Sequence, residues 1–255
     1  MKFIGIIPAR YESSRFPGKP LFLIDGKSMI QRVYEQVSKS TTLTEIVVAT
    51  DDLSIENHVK KFGGNVIMTS KDHLCGTDRC YEAFKKINVN NKYNSNDIVI
   101  NIQGDEPCIN PEQIDLVANC FNKEDVKIAT LIKKIDTEED ISNSTIIKVV
   151  CDQFNRAIYF SRSPIPFIRD KKSSKWMEEN PCFQHIGIYA YRASILGEIT
   201  HLKPSPLEKS ESLEQLRWLE NGYPIHVNIT THKSYSVDVP ADITKILALL
   251  KETKK

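Results

Sequence analysis

An excess of charge of either sign is missing from this sequence: 34 Lys and Arg stand against 33 Asp and Glu, a net charge of +1. A chain so balanced has no general attraction for nucleic acid or an anionic membrane, so any anion it binds is held by a local cluster. Glycine is scarce, with 10 in 255 residues, and the 12 prolines are ordinary, which excludes collagen-like and low-complexity classes. No run approaches the ~20 apolar residues of a membrane span. The apolar opening is too short for a signal-peptide core. Six cysteines (Cys75, Cys80, Cys108, Cys120, Cys151 and Cys182) are scattered without a C-x-x-C pair. That pattern supports no zinc site and suits free thiols in a reducing cytoplasm, with Cys120 and Cys151 expected to be buried. No two glycines are spaced as G-x-G, and Leu21 stands where a Walker A loop ending Gly26-Lys27-Ser28 needs its first glycine. Classical dinucleotide folds and P-loop NTPases are therefore excluded.

What is present is an alternation of strand-like and helix-like runs. Lys2–Pro8, Glu45–Thr50, Asn65–Thr69 and Asp97–Gln103 read as strands. Helical patterns span about Ser28 to Ser38, Ser54–Phe62, Asp78–Ile87 and Pro111 to about Phe121. Strands apolar on both faces, alternating with helices, predict a mostly parallel sheet with helices on both faces, an α/β fold. After Lys127 the rhythm changes. Lys127–Ile135, Ile146–Cys151, Arg156–Ser161 and His185–Tyr191 all read as extended. We expect a single α/β domain over 1–255 with a mostly β insertion at about 127–192. Residues 169–180 read as a polar surface loop or lid. Beyond it lie a helix at Pro206–Glu220, strands near Ile225–Thr230 and Tyr235–Val239, and a last helix from Pro240 with Ile243, Ile246, Leu247 and Leu250 on one face.

In open α/β sheets ligands bind at the carboxyl ends of the strands, and four motifs fall there. After the first strand, Pro8-Ala9-Arg10-Tyr11-Glu12-Ser13-Ser14-Arg15-Phe16-Pro17-Gly18-Lys19-Pro20 places Arg10, Arg15 and Lys19 in one loop. Three cations together suit a polyphosphate. Asn101-Ile102-Gln103-Gly104-Asp105-Glu106-Pro107 sets Asp105 after the best central strand, where it either holds Mg²⁺ against phosphates or forms a turn. Asp238, before Pro240, is a second metal ligand or an N-cap. His73-Leu74-Cys75-Gly76-Thr77-Asp78-Arg79 opens a helix whose backbone N–H groups can read a base edge or a phosphate, with Thr77 or Asp78 alternatively an ordinary cap.

In this order the motifs resemble the 3-deoxy-manno-octulosonate cytidylyltransferases (CMP-Kdo synthetases). Later stretches agree: Lys148-Val149-Val150, Tyr159-Phe160-Ser161-Arg162, His185 to Arg192, and Pro206-Leu207-Glu208 leading to Leu213-Glu214-Gln215-Leu216-Arg217. The resemblance runs from about residue 2 to 250. It implies a nucleotide-diphospho-sugar transferase fold, a homodimer, and transfer of CMP from CTP to the anomeric 2-hydroxyl of Kdo. The products are CMP-Kdo and pyrophosphate, for lipopolysaccharide assembly. It further implies that Arg10, Arg15 and Lys19, with Pro8 and Ala9, hold CTP, and that Asp105 and Asp238 coordinate Mg²⁺. By the same resemblance Gly76, Thr77 and Arg79 surround the cytidine. Gln103, Arg162, His185, Tyr189, Glu214 and Gln215 line the sugar pocket, and the β insertion takes part in sugar binding and dimerisation. No residue stands out as an essential protein base. Two positions depart from the family pattern: Ser28 where Pro is common, and Cys75 where Ser is common. Rival readings are a cytidylyltransferase for 8-amino-Kdo or a sialic-acid-like sugar, and a non-catalytic nucleotide-sugar-binding protein on the same fold.

Overall fold

Alternating apolar residues on neighbouring strands send side chains into two cores, one on each face of a central sheet. Ile4, Ile6 and Val99 belong to one core, with Tyr189, Tyr191 and Trp218. Ile7, Ile98, Ile100 and Ile102 belong to the other, with Val33, Ile55 and Val117. Each such side chain contributes roughly 1.5–3 kcal/mol on burial. The computed structural model describes residues 1–12, 15–171, 176 and 181–252. Its strands are β1 (Phe3–Ala9), β2 (Leu23–Ile24), β3 (Lys27–Ser28), β4 (Glu45–Thr50), β5 (Val66–Met68), β6 (Ile98–Asn101), β7 (Ile128–Lys134), β8 (Lys148–Cys151), β9 (Ala157–Ser161), β10 (Phe183–Arg192) and β11 (Ile225–Ile229). The α-helices are α1 (Met29–Val37), α2 (Leu53–Lys61), α3 (Gly76–Ile87), α4 (Pro111–Ala118), α5 (Glu138–Ser142), α6 (Ala193–Ile199), α7 (Pro206–Glu211), α8 (Gln215–Glu220) and α9 (Ile243–Glu252).

The sheet runs β11-β7-β10-β6-β1-β4-β5, with β8 and β9 branching from β10. Pairs β1–β4, β1–β6, β4–β5 and β7–β11 are parallel. β10 runs antiparallel between β6 and β7. The chain builds outward from β1 through β4 to β5, then returns to place β6 on the other side of β1. That reversal opens a crevice beyond the carboxyl ends of β1 and β6, where α/β folds bind ligands. The β-rich segment has two roles: β7 and β10 are strands of the central sheet, whereas β8 and β9 form a hairpin paired to one end of β10.

The early elements match the expected ranges within a few residues. Ser28, the departure at the first helix, works as a cap. Its hydroxyl accepts from the Gln31 N–H at 3.2 Å and meets His58 Nε2 at 2.7 Å. Four expectations need correction. Tyr235–Val239 is not a strand; its one backbone tie to the sheet region is the Val237 N–H donating to the Asp105 carbonyl at 3.0 Å. The helix expected over Pro206–Glu220 breaks at Ser212, which adopts φ 52 so that Leu213 can be buried. The helix from Pro111 ends at Ala118 and tightens into a 3-10 turn over Asn119–Asn122. Cys80 and Cys182 are the buried thiols, while Cys120 and Cys151 are half-buried. Cys151 rides on the branching hairpin and Cys120 in the turn after α4, both beyond the densest packing. No disulfide joins any of the six cysteines. Most of the polar loop expected at 169–180 lies outside the described residues. Among the described residues, no helix is long and apolar enough to cross a membrane.

Candidate active site

The loop after β1 is shaped by its own backbone. The Gly18 N–H donates to the Tyr11 carbonyl at 3.0 Å, and Gly18 takes φ 70, a left-handed conformation that favours glycine. The chain then enters a short 3-10 turn, Lys19–Leu21, which aims Lys19 inward. Lys19 Nζ donates to Asp105 Oδ2 at 2.6 Å and to the Val237 carbonyl at 2.9 Å. Arg15 donates to Asp238 Oδ1 at 2.9 Å, with both side chains about half exposed. Arg10 is exposed and has no ion pair or hydrogen bond among the described residues. Asp238 is not a helix cap. Val239 holds the N-cap position, and the Asp242 carboxylate at N3 reaches back to accept from the backbone N–H groups of Asp238 and Val239 at 2.9 and 3.0 Å.

Close packing of two strand ends positions Asp105. A Cβ at Gly104 would lie 2.5 Å from the Pro8 carbonyl oxygen, so only glycine lets this turn press against the end of β1. One pocket results, lined by Pro8, Ala9, Arg10, Arg15, Lys19 and Pro20 from the first loop. His73, Leu74, Cys75, Gly76 and Arg79 form another wall, and Gln103, Gly104, Asp105 and Asp238 complete it. Every residue expected to hold triphosphate or metal is brought together here, from segments more than 200 residues apart.

Behind this wall the side chains are tied down. Gly76 and Thr77 open α3, which has Cys75 as its N-cap and no side-chain cap, so neither Thr77 nor Asp78 plays that part. Instead Glu214 Oε2 accepts from Thr77 Oγ1 at 2.9 Å, and Glu214 Oε1 from Cys75 Sγ at 3.3 Å. Burial pushes the Glu214 carboxyl above its usual value, against the pull of those two donors. Burial likewise raises the Cys75 thiol, with the Glu214 charge adding to it, so Cys75 is no ready nucleophile. His73 pairs with Glu82.

Of the residues expected around the sugar, only Gln103 lines this pocket. Its Nε2 donates to the Gly187 carbonyl at 2.9 Å, inside an irregularity of β10 between Ile186 and Tyr189. Thr130 supports the same bend, its hydroxyl 2.7 Å from the Ile188 carbonyl and 3.0 Å from His185 Nε2. His185 and Tyr189 sit in an aromatic cluster with Phe160, Tyr191 and Trp218. Burial there drives the His185 imidazole down to about 3, so it stays neutral. Gln215 Nε2, Trp218 Nε1 and Asn101 Oδ1 are buried without hydrogen-bond partners among the described residues, so each keeps its capacity to bond a hydroxylated ligand. Arg162 stands apart: its donors go to the carbonyls of Glu211, Ser144 and Ser212. The sequence reading missed His73, Leu74 and Pro20 as pocket lining, and Asn101 and Thr130 behind it. His73 and Leu74 belonged to a motif already singled out; nothing in the local pattern marked Thr130.

Glu106 is buried beside Asp105, and burial, reinforced by the Asp105 charge, raises its carboxyl to about 7 against a hydrogen bond from Ser234. Between the unfolded value of 4.5 and about 7 the native state keeps a proton that the unfolded chain has lost. Stability is therefore unpenalised below the lower value and declines as pH rises through this window. Glu106→Gln removes the titration. Relative to the parent, the variant should gain about 2 kcal/mol of unfolding free energy between about pH 5 and about pH 8. Denaturant unfolding at both pH values measures this, and an unchanged difference would show that Glu106 titrates normally.

Comparison with known proteins agrees with this geometry. The family model described as Cytidylyltransferase matches residues 4–233. The 3-deoxy-manno-octulosonate cytidylyltransferase of Parabacteroides distasonis is 54% identical over 254 residues, covering 98% of each chain. That of Cytophaga hutchinsonii is 51% identical, covering 96% of each. The solved structure of a CMP:2-keto-3-deoxy-manno-octonic acid synthetase complexed with CTP superposes with a TM-score of 0.89 at 40% identity, over 99% of this chain and 100% of that one. A cytidylyltransferase from Leptospira borgpetersenii, 18% identical with a TM-score of 0.63, shares the fold. With near-complete coverage at such identity, the chain belongs to the 3-deoxy-manno-octulosonate cytidylyltransferase family.

Proposed function

We propose that this protein transfers CMP from CTP to the anomeric 2-hydroxyl of Kdo, releasing pyrophosphate and supplying activated sugar for lipopolysaccharide assembly. The observation that carries the reading is the pocket at the strand-order reversal, where Arg10, Arg15 and Lys19 face Asp105 and Asp238. In-line displacement at the α-phosphorus asks for positioning and charge neutralisation more than for covalent help from the protein. Arg10, Arg15 and Lys19 supply positive charge for the triphosphate and for the departing pyrophosphate. Gly76, Thr77 and Arg79 frame the cytidine. Gln103, whose amide nitrogen is held by Gly187, and the buried polar atoms of Gln215 and Asn101 favour a hydroxyl-rich sugar beside it. Tyr189 and His185 belong to the aromatic cluster on β10, the strand whose Gly187 carbonyl holds Gln103, and Glu214 accepts from Cys75 and Thr77 at the start of α3. Arg162 spends three of its five N–H donors on backbone carbonyls, leaving two for the sugar carboxylate.

A divalent ion suits this donor set. Among the described residues no cluster of three His, Cys, Asp or Glu forms a self-sufficient metal site. The two carboxylates on the pocket wall match the preference of Mg²⁺ for one or two carboxylates completed by substrate oxygens. Asp105 and Asp238 would hold it, and bound there it would withdraw charge from the phosphate and acidify the attacking hydroxyl. Lys19 and Arg15 pair with these carboxylates. The expected homodimer is supported by exposed apolar side chains on the β8–β9 hairpin and adjoining β11: Phe154, Ile158 and Ile229. The test is pyrophosphate release with CTP and Mg²⁺, with and without Kdo, and the nucleotide sugar identified by mass. Release that requires both substrates is expected. Faster release with 8-amino-Kdo or a sialic acid would reassign the sugar, and none with any acidic sugar would overturn catalysis.

A further inference from the structure

Arg79 on the nucleotide wall is almost wholly buried, its side chain 4% exposed, yet the residue lines the pocket. Two elements outside its own helix hold it. Asp51, just beyond β4, accepts from Arg79 Nη2 at 2.6 Å, and Thr69, just beyond β5, accepts from Nη1 at 2.6 Å. The Ser70 carbonyl takes a second bond from Nη1 at 3.3 Å. Thr69 is itself fixed, its hydroxyl donating to the Thr50 carbonyl at 3.1 Å and its N–H to the same oxygen at 2.8 Å. A guanidinium carries five N–H donors in a rigid fork. Three are spent on these partners, and the others have no partner among the described residues.

From this arrangement we infer that Asp51 is a positioning residue for nucleobase choice: it locks Arg79 so that the remaining donors read acceptor atoms on the base. The inference rests on the CTP reading given above. Cytosine offers acceptors at O2 and N3, which a donor-only fork can satisfy together. Uracil carries N3–H at the second place, so a fixed donor there meets another donor. A fork free to rotate would avoid that clash; one held on three sides cannot. The neighbouring surface suits a flat base, since Leu74 is 91% exposed and lines the same pocket beside Ala9 and Gly76. Discrimination of this kind depends on leaving a polar group unpaired with the wrong substrate, and so on rigidity as much as on contact.

The test is steady-state kinetics of the full chain with CTP and with UTP, Kdo saturating, for Asp51→Asn, Asp51→Glu and Thr69→Ala, with thermal midpoints recorded alongside. In Asp51→Asn the ratio of kcat/KM for CTP over UTP should fall about tenfold or more. The larger part of the change should lie in KM for CTP rather than in kcat. Asp51→Glu should recover part of the ratio, and Thr69→Ala, which removes the second holder, should lower it too. A ratio unchanged in Asp51→Asn and Thr69→Ala, whatever happens to the midpoints, would overturn the inference. So would equal losses with both nucleotides. If Asp51→Asn does not fold, Asp51→Glu and Thr69→Ala decide. Absence of CTP-dependent turnover in the parent protein would instead count against the proposed function itself.

Discussion

Asp105→Asn should lower kcat by about a thousandfold while leaving the protein folded. The substitution keeps the size and shape of the side chain and removes its charge. If Asp105 holds the divalent ion against the phosphates, several kcal/mol of transition-state stabilisation go with that charge, at 1.36 kcal/mol for each tenfold in rate. The structural cost is much smaller. Asp105 and Lys19 are partly exposed, and Lys19 keeps the Val237 carbonyl as a partner. Loss of the ion pair should cost about 1 kcal/mol. The backbone tie from the Val237 N–H to the Asp105 carbonyl is untouched. Pyrophosphate release at saturating CTP and Kdo, with thermal unfolding of the same preparation, separates the two effects. Turnover within about tenfold of the parent would remove Asp105 from the metal role and leave it a turn residue that anchors Lys19.

Gly104→Ala is expected to damage both stability and activity, for a reason unrelated to charge. The added methyl would sit 2.5 Å from the backbone oxygen of Pro8, with no flexible side chain to give way. Either the end of β1 or the turn after β6 must move. Overpacking of this kind costs about 1–3 kcal/mol. The displaced turn carries Gln103 and Asp105, and the displaced strand end carries Arg10. Misplacing such groups by about 1 Å costs on the order of a hundredfold in rate. Unfolding free energy and kcat/KM should fall together. A variant with near-parental activity would show that the crevice tolerates more slack than the contact between Gly104 and Pro8 implies.

Local pattern made much of the molecule readable. Apolar alternation located β1, β4, β6 and their helices because a strand buried on both faces and an amphipathic helix each leave a periodic record in a short stretch. The loop after β1 was legible as an anion grip because three cations lie within ten residues and the strand before them fixes where that loop points. Elsewhere local pattern misled. Tyr235–Val239 has the composition of a strand but pairs with no strand among the described residues, and it is tied instead to Asp105 and Lys19. Pro206–Glu220 has helical periodicity, yet the burial of Leu213 and the left-handed Ser212 break it in two.

The sequence alone determined the α/β class, the family, and the chemistry of the pocket's cationic half, since each is written in consecutive residues. Only the tertiary structure decided that Arg15 meets Asp238 across 223 positions, that Lys19 meets Asp105 across 86, and that Asp51 braces Arg79. It also decided that Arg162 is occupied by carbonyls and that Glu214 ties down the start of α3. Those pairings follow from the reversal of strand order at β1 and from the antiparallel insertion of β10 beside β6. Both are set by how whole elements bury their faces against one another, and separation along the chain carries no record of that.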